Sequence, residues 1–286
     1  MKSKIKSFIN RCGAENLEEI MSNVTPELLE SQSGNNVTLL WRDGRRVVHK
    51  RYAREPAFRR ERFVLERIGE CGVIAPQIIK PDVEPDYPSL DLSWIEGRKL
   101  GELNQETMEK VAFQAGATVA RFNLLAKPEG SETPLSTRGL DIADALERIA
   151  NQLDVTWLLP TLAALRQELP QCLNHRDVRF ANMLWLEENE EVAIIDYETS
   201  CWGPRGADLG RMLLDDFADE KLATLVVEGY RSSAGEVPNI DALKLLYAVE
   251  MVDYLVRQDN KDPSSLTLVD RLFDYIRSRQ PLERAK

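Results

Sequence analysis

Histidine is nearly absent from this chain, with two in 286 residues, His49 and His175. Cysteine is scarce too, at Cys12, Cys71, Cys172 and Cys201. No two cysteines form a C-x-x-C pair, so neither a zinc site nor a dithiol redox motif is encoded. Cys201 reads as a small core or loop residue. No apolar run approaches the roughly 18 residues of a membrane span. The basic N-terminal stretch has an apolar part too short and too interrupted for a signal peptide. The expectation is a cytoplasmic protein with no integral membrane segment. Net positive charge is lacking as well. The 37 Lys and Arg face 47 Asp and Glu, giving −10, which argues against a nucleic-acid partner.

The basic residues that are present concentrate. Positions 41–70 hold ten Lys and Arg (Arg42, Arg45, Arg46, Lys50, Arg51, Arg54, Arg59, Arg60, Arg62, Arg67) against five acids. That window is +5 and the remainder −15. Such a patch can hold phosphates or meet an anionic surface. The alternative is a solvated helix face laced with i,i+4 ion pairs.

Patterning predicts an α+β chain. Residues 16–30 read as a short helix. Val37–Trp41 and Val47–Tyr52 read as strands around Asp43-Gly44, a strong hairpin signal. Residues 56–70 read as an amphipathic helix with Pro56 in its first turn. Strands follow at Gln77–Lys80 and Ser89–Ile95. Beyond residue 100 the pattern is helical over 104–126, 141–153, 156–168, 207–214, 219–232, 239–258 and 265–278. One short strand pair, LNHRDVRFANMLWL and EVAIIDYETS, interrupts it with a polar turn at Glu187–Glu190. Gly203-Pro204 alone would be an ordinary turn signal.

The interruption carries the chemistry. Folding the two strands together brings Asn182 near Asp196. Their side-chain oxygens are hard ligands suited to Mg²⁺. Asp177, on the preceding loop, is within reach as an acceptor for a hydroxyl proton. A metal on the phosphates and a carboxylate orienting the nucleophile are what phosphoryl transfer requires.

HRDVRFAN matches the kinase catalytic loop H-R-D-x-x-x-x-N, and IIDYE fits the place of the D-F-G strand. The chain therefore resembles the protein-kinase-like fold, which implies a bilobal molecule. Residues 1–96 would form a small β-rich, nucleotide-covering lobe, and 97–286 a larger helical lobe with the catalytic loop and acceptor site. The resemblance implies ATP and Mg²⁺ as cofactors, Asp177 as the catalytic acceptor, and Asn182 and Asp196 as metal ligands. It makes His175 a structural post. Lys50, in VVHKRY, takes the place of the phosphate-reaching lysine, with Glu61 preferred over Glu66 as its partner. SGNN (Ser33–Asn36) would be the phosphate-covering loop, offering Ser33 and Gly34, although it lacks G-x-G-x-x-G. LDLSWIEG would be the hinge, where the backbones of Ser93 and Ile95 meet adenine.

No A-P-E sequence follows Asp196, and Asp208 comes only twelve positions after it. D-Y-E followed by G-P-x-x-x-D-L resembles the aminoglycoside phosphotransferase and choline kinase group. That likeness implies a small-molecule or sugar acceptor, places Glu198 near the metals, and makes Asp208 a brace for the catalytic loop. Outside it, Glu198 would be a solvated loop acid. The group usually has H-G-D, and Arg176 replaces the glycine. KRY and GVIAP are similar to lipopolysaccharide-core sugar kinases, which raises an anionic glycolipid acceptor and peripheral membrane contact. A protein kinase and a catalytically inactive kinase-fold binding module are the other readings. Trp94, Trp157, Trp202, Tyr230 and Tyr254 could cage a quaternary amine, with packing as the plainer role.

Overall fold

The computed structural model describes residues 27–29, 34–81, 87–128, 133–137, 142–168, 171–258 and 263–280. The chain begins with a five-stranded antiparallel sheet. Its strands are β1 (Glu27–Leu29), β2 (Asn36–Arg42), β3 (Arg45–Arg51), β4 (Ile78–Pro81) and β5 (Ser89–Ser93), in the order β1-β2-β3-β5-β4. The β2–β3 hairpin turns at Asp43 and Gly44, both with positive φ (52° and 73°). This is the twist-matched turn that Asp-Gly favours. β3 is central, so Lys50 lies between Val37 on one neighbour and Leu90 on the other.

Helix α1 (Glu55–Leu65) packs on this sheet. It buries Ala57, Phe58, Glu61, Val64 and Leu65, the spacing of one helical face. Glu61 is the only charged residue on that face. The predicted helix over 56–70 is shorter than expected. α1 ends at Leu65, and a 3₁₀ turn (Ile68–Cys71) closes at Gly72 in the left-handed region. A second expectation fails. Glu27–Leu29, the end of the helix predicted over 16–30, is an edge strand paired to β2 with Leu28 opposite Thr38. Pairing to the sheet edge overrides the local preference. Residues 16–26 and 30 lie outside the described residues.

The chain then crosses through β6 (Arg98–Lys99) into α2 (Gln105–Phe122), α3 (Ile142–Ala150), α4 (Leu158–Glu168) and β7 (Gln171–Asn174). The hairpin β8 (Met183–Leu186) and β9 (Glu191–Ile194) follows, joined to β6 in a three-stranded sheet. Then come β10 (Cys201–Pro204), α5 (Ala207–Leu214), α6 (Glu220–Ala234), α7 (Ile240–Val256) and α8 (Pro263–Ser278). β10 was not expected. The segment with the turn signal is a buried strand antiparallel to β7, with Trp202 opposite Leu173 and fully buried. Pro204 sits at its end, where a missing donor is tolerated. One continuous apolar core runs from Tyr52 and Phe58 to Phe273 and Ile276. Among the described residues no helix is long and apolar enough to cross a membrane.

Helices α2 and α6 cross backbone to backbone at two glycines. A Cβ on Gly116 would lie 1.9 Å from the Val226 carbonyl oxygen, and one on Gly229 would lie 1.9 Å from that of Phe113. Neither contact can yield without separating the helices. Gly116→Ala is therefore expected to lower stability by about 2–3 kcal/mol, seen as a lower urea midpoint with an unchanged slope. A midpoint equal to wild type would show that the crossing adapts.

Candidate active site

The loop after β7 is bent sharply. Arg176 has φ 67°, in the left-handed region that side chains disfavour. Asp208, in the first turn of α5, holds it there. One carboxylate oxygen accepts the His175 amide and the other the Arg176 amide, each at 2.9 Å. Such charge-assisted bonds can hold a strained backbone. His175 is fully buried. The Asp177 amide donates to its Nδ1 (3.2 Å), so the proton sits on Nε2 and is donated to the Ile195 carbonyl (3.1 Å). Its ring packs edge-on against Tyr197, 4.9 Å away between centroids, and against Phe122. His175 thus ties the loop to the strand that ends in Asp196.

The β8–β9 hairpin pairs Met183 with Ile194, and the Ile195 amide donates to the Asn182 carbonyl at 3.0 Å. Asp196 follows with φ 68°. Asn182 Nδ2 donates to Asp177 Oδ2 (2.8 Å) and to the Asp177 carbonyl (2.9 Å). Its Oδ1 accepts from no described residue, so that hard oxygen is available. Asp177 Oδ1 meets Arg211 Nη1 at 2.7 Å, and Arg179 Nε lies 3.4 Å from Oδ2. Both carboxylate oxygens are therefore fixed in position.

Across the cleft, Lys50 is buried among carboxylates. Its Nζ is 2.6 Å from Asp196, 2.7 Å from Glu61 and 3.4 Å from Glu198. Burial works against the ammonium, but Glu61, Asp196 and Glu198 outweigh it and hold the Lys50 pKa above its ordinary value. Glu61 also accepts from the Tyr52 hydroxyl (2.8 Å) and the Tyr197 amide (3.2 Å). Burial raises its pKa, against the pull of Lys50. Glu66 takes no part and pairs with Arg62 on the outer face of α1. Glu198 is only 4 % exposed, not a solvated loop acid. Its carboxylate accepts from Asn35 Nδ2, and Asn35 Oδ1 accepts the Ala53 amide (2.9 Å). Its carbonyl accepts from Arg60 Nε (2.6 Å).

The structure thus brings together Lys50, Glu61, Asp196 and Glu198, and separately Asp177 and Asn182 with His175 and Asp208 behind them. Gly34, with φ 77°, turns the chain just before Asn35, while Ser33 lies outside the described residues. The hinge segment has one backbone donor engaged. The Ser93 amide is already taken by the Gln77 carbonyl (2.8 Å). Ile95 makes no backbone hydrogen bond among the described residues, so its edge is open to a ligand. Trp202 and Tyr230 are core residues, and Trp94 stacks under Arg46, so packing accounts for these three. Five contributors were missed. Tyr52 and Asn35 lay in the VVHKRY and SGNN stretches with no role given to them, and Arg60, Arg179 and Arg211 were visible only as basic residues in or near a motif.

Known proteins decide what this arrangement belongs to. A model of the APH phosphotransferase enzyme family matches residues 25–246. The chain belongs to the phosphotransferase enzyme family. This phosphotransferase is an enzyme that moves a phosphoryl group to a hydroxyl acceptor. No curated protein matches it in sequence. Its fold is similar to aminoglycoside phosphotransferase APH(4)-Ia (TM-score 0.68, 15% identity, 98% of this chain and 99% of that one). It is also similar to a choline/ethanolamine kinase family protein from Mesorhizobium loti (0.66, 17%, 93% and 95%). A third likeness is the streptomycin–ATP–APH(2″)-IIa ternary complex (0.60, 15%, 90% and 94%).

The phosphotransferase's lysine cluster makes a stability prediction. Lys50→Met leaves buried carboxylates uncompensated, which is expected to cost about 3–5 kcal/mol at neutral pH. Because the folded pKa of Lys50 is raised, its contribution is complete below the unfolded lysine value of about 10.4 and fades only as pH climbs beyond it. The deficit of the variant should shrink in acid, as its stranded carboxylates take up protons. Urea unfolding of both proteins at neutral and acidic pH measures this. A deficit that grows in acid would contradict the assignment.

Proposed function

We propose that this phosphotransferase moves the γ-phosphoryl group of ATP to a hydroxyl of a small molecule or sugar, with Mg²⁺ in the site. The observation that carries this reading is the convergence of Glu61, Asp196 and Glu198, whose ligand oxygens lie within 4.8 Å of one another around the Lys50 ammonium. Such a cluster demands positive charge. Glu61 is committed to Lys50, Tyr52 and Tyr197, so Asp196, Glu198 and the open Oδ1 of Asn182 are the ligands that fit Mg²⁺. When bound, the metal supplies neutralisation of phosphate charge.

Lys50, held by Glu61, positions the phosphates from the sheet side. Asn35 and Gly34 cover them from the turn before β2, and Ile95 offers its backbone to the adenine. Asp177 orients the acceptor hydroxyl and takes its proton as the acceptor oxygen bonds phosphorus and ADP departs. Both oxygens of Asp177 are already pinned, so the gain comes from placement and not from strong basicity. Residues 1–96 act as the nucleotide-covering lobe and 97–286 carry the catalytic loop and the acceptor site. ATP as donor is favoured by the APH(2″)-IIa complex, which contains it.

The test is transfer of label from γ-labelled ATP to a panel of amino sugars, amino alcohols and lipid-linked sugars. With the acceptor found, Asp177→Asn is expected to lower kcat about 10²- to 10⁴-fold while nucleotide affinity holds. Full turnover by the variant would remove Asp177 from the mechanism.

A further inference from the structure

Helix α5 grips the catalytic loop at two levels. Asp208 and Arg211 are three residues apart and so share one face of the helix. Asp208 accepts the Arg176 amide at 2.9 Å. Arg211 Nη1 donates to the Arg176 carbonyl at 3.3 Å and meets Asp177 Oδ1 at 2.7 Å. One helix face therefore holds the amide and the carbonyl of the positive-φ residue together with the carboxylate that follows it. A brace for the loop backbone alone would need no contact with that carboxylate. The guanidinium is itself backed. Its central carbon lies 5.9 Å from the centre of the Tyr247 ring on α7. The Tyr247 hydroxyl donates to Asp215, just after α5, and Asp215 also pairs with Arg271 of α8. The Arg211 side chain is only 16% exposed.

The acceptor positions on Asp177 can be counted. A carboxylate offers about four, two on each oxygen. Oδ2 accepts from Asn182 Nδ2 (2.8 Å) and has Arg179 Nε at 3.4 Å. Among the described residues Oδ1 meets Arg211 alone. The open position is therefore on Oδ1, beside the guanidinium.

We propose that Arg211 is a positioning residue for phosphoryl transfer, turning Asp177 so that Oδ1 receives the acceptor hydroxyl. This rests on the phosphotransferase reading above and assigns the reacting oxygen within it. In the step the acceptor oxygen bonds the γ-phosphorus, the bond to the departing ADP oxygen breaks, and the hydroxyl proton passes to Oδ1. Oδ2 stays with Asn182. Without Arg211 the carboxylate keeps only its Oδ2 contacts and can swing about them. A displacement of about 1 Å at a reacting group is enough to cost about 10²-fold in rate.

The test uses the whole chain with Mg²⁺ and γ-labelled ATP. Label is followed to water and to the best acceptor among amino sugars, amino alcohols and lipid-linked sugars. The proteins are wild type, Arg211→Ala, Asp177→Asn and the double variant. Thermal shift with a non-hydrolysable ATP analogue reports nucleotide binding in each. Arg211→Ala is expected to lower kcat about 10²-fold, with KM for ATP and the nucleotide shift as in wild type. In the Asp177→Asn background the same change should cost no more than about twofold, because the carboxylate it places is gone. A merely structural role would cost the same in both backgrounds. Wild-type kcat in Arg211→Ala overturns the proposal. So does an equal loss in both backgrounds, or a loss matched by weaker nucleotide binding. If the alanine variant does not unfold cooperatively in urea, Arg211→Lys replaces it under the same criteria, since it keeps the cation without the planar two-armed head. No transfer of label by wild type to any acceptor, water included, would instead sink the phosphotransferase reading.

Discussion

The ammonium of Lys50 sits among Glu61, Asp196 and Glu198, and the two parts of the molecule meet through it. Glu61 belongs to α1, Asp196 and Glu198 to the segment after β9, and Lys50 to the central strand of the sheet. Without the cation the carboxylates would repel across the cleft. With it they form a buried electrostatic joint. Desolvation makes such a joint costly to build and worse to leave half built. That constraint explains the supports around it: the Tyr52 hydroxyl, the Tyr197 amide and the Asn35 side chain each satisfy a carboxylate oxygen.

A second joint holds the reacting loop. Asp208 binds two successive amides across a positive-φ residue, and His175 passes hydrogen bonds from that loop to the strand carrying Asp196. The scarcity of histidine now has a physical meaning at this position. A neutral imidazole accepts on one edge and donates on the other, so one ring joins two backbone segments. Asp177 and Asp196 are thereby placed by the same buried ring. The two joints divide the work, one organising charge for phosphates and the other presenting a carboxylate to a hydroxyl.

Much of this was legible in the sequence. The hairpin at Asp43-Gly44, the helices and the HRDVRFAN loop follow from turn chemistry, periodicity and spacing. Glu61 was preferred over Glu66 on the resemblance alone; the fold puts Glu61 on the buried face of α1 against Lys50 and leaves Glu66 exposed beside Arg62. β1 and β10 were not legible, because each exists only by pairing with a strand distant in sequence. Ser93 could not be judged at the hinge without knowing that Gln77 takes its amide. The arginines were the hardest. A composition window shows a basic patch, but only the fold separates Arg59, Arg62 and Arg67, which pair locally, from Arg60, which reaches the distant Glu198 carbonyl. The same limit applies to Arg211, some thirty residues beyond the aspartate it contacts.

The central claim is that the carboxylates around Lys50 are a metal–nucleotide site as well as a structural joint. Thermal-shift titration with ATP and ADP, with and without Mg²⁺, on wild type and Asp196→Ala tests it most directly. Ligands that bind the folded chain raise its midpoint by mass action. The account predicts a nucleotide shift that requires Mg²⁺ in wild type and is lost in the variant. A nucleotide shift of equal size in both proteins, or none in wild type, would contradict it.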